Sequence, residues 1–121
     1  MSSQVYLADT SGAAQAISDF SAVLSEAAPR PRPATLRAIA TRLGEARDRA
    51  SLLSDRLLAE RLEDRRLEDQ RSEASAVLVA VVAAMDDLVT AAEAGEAQDA
   101  SRASLRYASA VAQLRSLPAP S

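Results

Sequence analysis

The sequence predicts an all-α fold: an elongated helical bundle with one long coiled-coil-like helix over residues 34–94, flanked by two shorter helices. Three observations carry this. Alanine supplies 28 of the 58 apolar residues in the 121-residue chain, and Leu, Arg and Glu are abundant, all strong helix formers. Apolar residues recur at alternating three- and four-residue steps, the spacing of one helix face. Three Gly, one Phe, two Tyr and no Trp leave too little turn and aromatic material for a β-sandwich or barrel.

Taken in order, Met1 to Thr10 shows no helical periodicity and reads as a flexible arm over residues 1–10. The helical domain then covers residues 11–117. Ser11 suits the N-cap of a first helix over 11–28, with Ala13, Ile17, Phe20, Leu24 and Ala27 on one stripe. Pro29-Arg30-Pro31-Arg32-Pro33 stops it, because each proline lacks a backbone donor and pushes its predecessor out of the helical region. The run reads as a stiff linker whose last proline opens the next helix; alternating Pro-Arg also suits a polyproline ligand.

From Ala34 to Ala94 there is one glycine, Gly44, and no proline. Leu36, Ile39, Leu43, Ala46, Ala50, Leu53 and Leu57 form a heptad seam. The seam fails at Glu60 and Asp64, inside a segment from Glu60 to Glu73 in which ten of 14 residues are charged. That segment holds two copies of a Leu-Glu-Asp-x-Arg unit. Arg56 with Glu60, Arg61 with Asp64, Arg65 with Asp69 and Glu68 with Arg71 are spaced for ion pairs, whereas Glu60, Asp64 and Glu68 form a like-charge row. Leu78, Val81, Met85, Leu88 and Ala92 then resume the same heptad phase. A straight helix drifts by about 20° per heptad, so the two seams align only if the helix supercoils or the chain breaks between them. The alternative is therefore a compact four-helix bundle with a turn near 70–75, where Ser72 and Ser75 are weak cap signals.

Ala76 to Met85 is apolar on every face, which predicts cover all round. Gly95 suits the position just past a helix end. The last helix runs over 97–117 with Ala100, Ser104, Tyr107, Val111 and Leu114 inward, and a proline-containing tail covers 118–121.

Cys, His and Lys are all absent, which removes disulfides, thiolate and imidazole chemistry and any amine nucleophile. All 14 basic residues are Arg, a bias that a high-GC bacterium's codon usage explains; selection against lysine is the competing account. Glu63-Asp64, Glu68-Asp69 and Asp86-Asp87 are adjacent pairs whose side chains diverge by about 100° on a helix, so no metal site is expected. Gly12, Gly44 and Gly95 stand alone, so no phosphate loop and no cofactor is expected either. The net charge of −3 and the acidic neighbours of Arg65-Arg66 argue against nucleic acid, and the Arg30, Arg32 and Arg37 cluster has no aromatic beside it. The apolar run of ten residues is about half a membrane span, and Met1 to Asp9 has no basic leader, so no membrane span and a cytoplasmic location are expected.

What remains is a non-enzymatic helical protein–protein interaction module: a scaffold, adaptor, chaperone or structural subunit of a larger assembly. Its expected contact stripes are Leu36, Ile39, Leu43, Leu53 and Leu57, and Leu78, Val81, Met85 and Leu88. The expected partner is a second copy, forming a homo-oligomer, or another protein, since a small alanine-rich core gains from association. One alternative is a small helical-hairpin protein exported without a signal peptide, although the Trp-x-Gly turn usual in such hairpins is missing. A more distant one is an all-α enzyme using Arg and carboxylates.

Overall fold

The computed structural model describes residues 2–28, 30–59 and 61–118. Among these residues there are four helices and no strand: α1 (Ser3–Ser25), α2 (Pro33–Ala59), α3 (Arg65–Ala94) and α4 (Ala97–Arg115). The chain is an all-α bundle.

α1 begins eight residues before the expected Ser11 cap. Ser2 is the N-cap, its hydroxyl accepting from the Val5 amide at 3.2 Å. Residues 3–10 are therefore part of the domain rather than an arm, and Tyr6 is 2% exposed. The inward stripe runs Tyr6, Asp9, Ala13, Ala16, Ile17 and Phe20. Asp9 hides it in the sequence, because a carboxylate occupies a core position; Arg56 meets it at 3.2 Å. Met1 lies outside the described residues.

Pro33 is the first residue of α2, as its chemistry dictates, while Pro29 lies outside the described residues. The long helix does not form. Residues 61–64 are non-helical, so 34–94 is two helices, and the chain turns there rather than near 70–75. Three polar contacts hold this turn. Asp64 caps α3 by accepting from the Leu67 amide at 3.0 Å. Glu68 Oε1 accepts from the Leu62 amide at 3.0 Å, and Arg71 donates through Nη1 to the Leu57 carbonyl near the end of α2. Leu62 itself is buried against the core. A continuous helix would instead have carried Asp64 and Glu68 along the seam as like charges; the turn makes one a cap and gives the other to Arg71. Glu60 lies outside the described residues.

Successive helices run antiparallel. Glu26 pairs with Arg42, Asp19 with Arg49 and Asp9 with Arg56, so α1 descends as α2 ascends. Arg47 meets Asp86 at 3.2 Å, and Arg37 donates to the Ala94 carbonyl at 3.3 Å, setting α3 against α2. Arg106 meets Asp87 at 3.2 Å between α3 and α4. Apart from the buried Asp9, these pairs lie at the surface, where each contributes little energy but marks the register. α4 returns to α1 through Tyr107, whose hydroxyl donates to the Ile17 carbonyl at 3.1 Å and lies 2.7 Å from Ser21 Oγ. Its ring sits 5.0 Å from that of Phe20.

α3 is long and apolar enough, by length and composition, to cross a membrane, and half of its most apolar stretch is buried inside the bundle. The segment from Ala76 to Met85 is not covered all round, contrary to the expectation from its composition. Val77, Leu78, Val81, Ala84 and Met85 face the core, while Ala76, Val79, Ala80 and Ala83 are exposed. Gly95 closes α3 in the left-handed region, φ 66°, and the Glu96 amide donates back to the Ala91 carbonyl at 2.9 Å.

Candidate functional site

The two stripes expected to contact a partner are occupied within the chain. Leu36, Ile39, Leu43 and Leu57 on α2 and Leu78, Val81, Met85 and Leu88 on α3 are all buried in one cluster, and Leu53 is half-buried against it. The reason is the turn at 61–64. Once α3 folds back, its seam covers that of α2, and both close over Phe20 and Tyr107. A partner reaches these residues only in an opened bundle.

Two other features face outward. The first is the α3/α4 face, where Leu105 is 74% exposed. Between the helices, Ala80, Ala83 and Leu105 line a shallow groove of about 500 Å³ whose edge carries both Asp87 and Arg106. The sequence signal was present in the all-round apolar run, but its period could not tell which half the bundle would leave bare.

The second is the seam between α1 and α4. Tyr107 bridges it, and an opening lies on either side. Toward the α2–α3 turn is a cavity of about 330 Å³ walled by Tyr6, Ile17, Leu57, Leu78, Val111 and Leu114. Its polar lining is Thr10, Gln70, Glu73 and Arg115. Gln70 Oε1 itself is fully buried and has no hydrogen-bond partner among the described residues. Toward the other end is an open cleft of about 690 Å³ containing Leu24, Ala27, Ala100 and Ser104. Burial raises the pKa of both Tyr6 and Tyr107, so each phenol stays neutral and can donate. Sequence reasoning missed the cavity, because Tyr6 fell in the supposed arm and Gln70 sits inside the charged segment.

Another buried polar group, the Arg71 guanidinium, builds the turn. Arg71 is 7% exposed and donates to Glu68 and to the Leu57 carbonyl, so each of its three guanidinium nitrogens is engaged within the fold. Among the described residues, no group of three or more carboxylates is arranged to hold a metal ion. Comparison with known proteins finds no matching protein family, no matching curated protein and no matching solved structure.

Proposed function

We propose that the chain is a non-enzymatic helical interaction module that pairs with a second copy of itself through the α3/α4 face. The carrying observation is Leu105: a large apolar side chain, 74% exposed, beside a groove floored by Ala80 and Ala83. Exposed apolar surface contiguous with small residues favours close helix approach and burial. The rim supplies the choice of partner. Asp87 and Arg106 carry both signs on one patch, so two copies related by a two-fold axis can exchange Arg106–Asp87 contacts without like-charge repulsion. A thin alanine-rich core also gains from added burial. The absence of His, Cys and Lys, and the structural employment of Arg71 and Glu68, support the non-enzymatic part of the reading. The same reading takes α3 as a bundle helix rather than a membrane span, with the cytoplasm as its setting.

The test is light scattering on a sizing column. The wild-type chain is expected at twice the mass of the 12.7 kDa chain, and Leu105→Glu at the single mass with unchanged helical circular dichroism. Ala83→Glu serves as a second disruption from the other helix. A wild-type monomer at high concentration, or a dimer indifferent to both substitutions, overturns the proposal.

A further inference from the structure

We infer that the open cleft between α1 and α4 binds a chain-like organic acid, its alkyl tail lying along the cleft and its carboxylate held by Arg115. The cleft exists because α4 packs closely on α3 but keeps its backbone apart from α1 along most of their length. Leu24, Ala27, Leu36, Ala100 and Val111 give it an apolar lining, and its volume is about 690 Å³. That size and lining match the general form of small-molecule sites, largely apolar with a few placed polar groups. From Ala100 to Arg115, α4 borders the cleft over a rise of roughly 22 Å, which suits a linear chain.

Arg115 supplies the selectivity. Among the described residues it is the one charged group in the cleft lining, and it makes no hydrogen bond or ion pair with any of them. The hydroxyls beside it are already engaged: those of Ser21 and Tyr107 lie 2.7 Å apart, and Ser25 donates to the Ala22 carbonyl. Burial raises the pKa of the Tyr107 phenol while the Arg115 charge pulls the other way, which puts that charge within reach of the cleft wall. A planar guanidinium receives a carboxylate through two parallel N–H donors. The smaller cavity across Tyr107 suits an anion less, because Glu73 lines it together with Arg115. Leu105 borders both this cleft and the α3/α4 groove, whereas Arg115, Ala108 and Ala112 line the cleft alone of the two.

Decanoate and decanol are suitable probes, matched in chain and differing in the anionic group. Titration calorimetry on the intact chain should show decanoate binding about fivefold more tightly, the worth of an ion pair at an exposed arginine, with the gap closing at high salt. Octanoate, two methylenes shorter, should bind about tenfold more weakly than decanoate. Arg115→Gln should abolish the preference while leaving decanol binding in place. Ala108→Trp, which narrows the cleft from an exposed position on α4, should weaken both probes, and Ala112→Trp is a second obstruction should the first disturb folding. Equal binding of decanoate and decanol, or a preference that survives Arg115→Gln, overturns the assignment of Arg115. No decanoate binding to the wild-type chain, or binding indifferent to both obstructions, overturns the site itself.

Discussion

Arg71 and Glu68 form a bidentate pair one helical turn apart: Nε lies 2.8 Å from Oε1, and Nη2 lies 2.7 Å from Oε2. The pair does more than join two neighbours on α3. Through Nη1, Arg71 also reaches the Leu57 carbonyl at the end of α2, and Glu68 holds the Leu62 amide inside the turn. One planar guanidinium and one carboxylate thus tie together three segments that the backbone alone leaves unpaired, a geometry that suits Arg and not Lys.

Arg71→Met is expected to destabilise the fold by about 3 kcal/mol, because it strands a half-buried carboxylate and a buried carbonyl. Urea unfolding followed by circular dichroism measures it. Arg71→Lys should recover only part of the loss, since an ammonium cannot reproduce the fork. If Arg71→Met melts like the wild type, the turn is held by Leu62 and Asp64 instead.

Acid should weaken the protein through the same pair. The Arg71 hydrogen bond, outweighing desolvation, holds the Glu68 carboxyl below its usual range, and Arg42 does the same for Glu26. Asp19 is lowered by Gln15 and Arg49. A carboxyl whose folded pKa is depressed contributes stability that is complete above the unfolded value, about 4, and is lost as pH falls through the folded value. Glu96, raised by neighbouring Asp99, works in the opposite direction and softens the slope. With no His in the chain, urea midpoints should be level between pH 6 and 8 and lower at pH 3. A midpoint that rises at pH 3 contradicts this.

Tyr107→Phe removes the hydroxyl that fastens α4 to the Ile17 carbonyl and Ser21. The expected cost is about 1–2 kcal/mol, since the ring and its packing on Phe20 remain. Hydrogen exchange should quicken in α1 and α4 more than in α2 and α3. Uniform loss of protection across all four helices would show instead that the seam does not open by itself.

Two glycines predict opposite signs. At Gly44, inside α2, an added Cβ meets only Arg47 Nη2 at 3.8 Å and Val89 Cγ1 at 3.9 Å, ordinary contacts. Gly44→Ala should therefore stabilise by about 0.5–1 kcal/mol through helix propensity. At Gly95 the left-handed backbone and the Arg37 guanidinium, 2.7 Å from a Cβ, oppose a side chain. Gly95→Ala should cost about 1–2 kcal/mol. Thermal melts of the two variants, run side by side, check both.

Much of the fold was legible because helix periodicity reports which face is buried. Leu36, Ile39, Leu43, Ala46, Ala50 and Leu57 are inward as their spacing predicts, and so are Ala100, Tyr107 and Val111 on α4. The helix end at Gly95 and the start at Pro33 also follow from local chemistry. The turn at 61–64 was not legible, because it lies in a run of charged residues and leucines without Gly or Pro, and the Arg71 and Glu68 contacts that hold it with the Asp64 cap are tertiary. The contact stripes were read as a surface for the same reason: spacing identifies a buried face but not whether the cover comes from the same chain. Asp9 and Gln70, polar residues in an apolar setting, leave no periodic signal at all.

The repeated five-residue unit has a consequence for alignment of the chain against itself. Leu62 to Arg66 lies mostly in the turn, whereas Leu67 to Arg71 lies wholly in α3, so near-identical words take different backbone states. Slippage by one copy would turn α3 by about 140° and slide it by about 7.5 Å relative to α2. Glu73, Ala76 and Ala80 would then take the places of Leu78, Val81 and Met85 in the core. The twin motif is thus proofread at a distance: the hydrophobic stripe downstream, not the motif itself, decides which arginine reaches the Leu57 carbonyl.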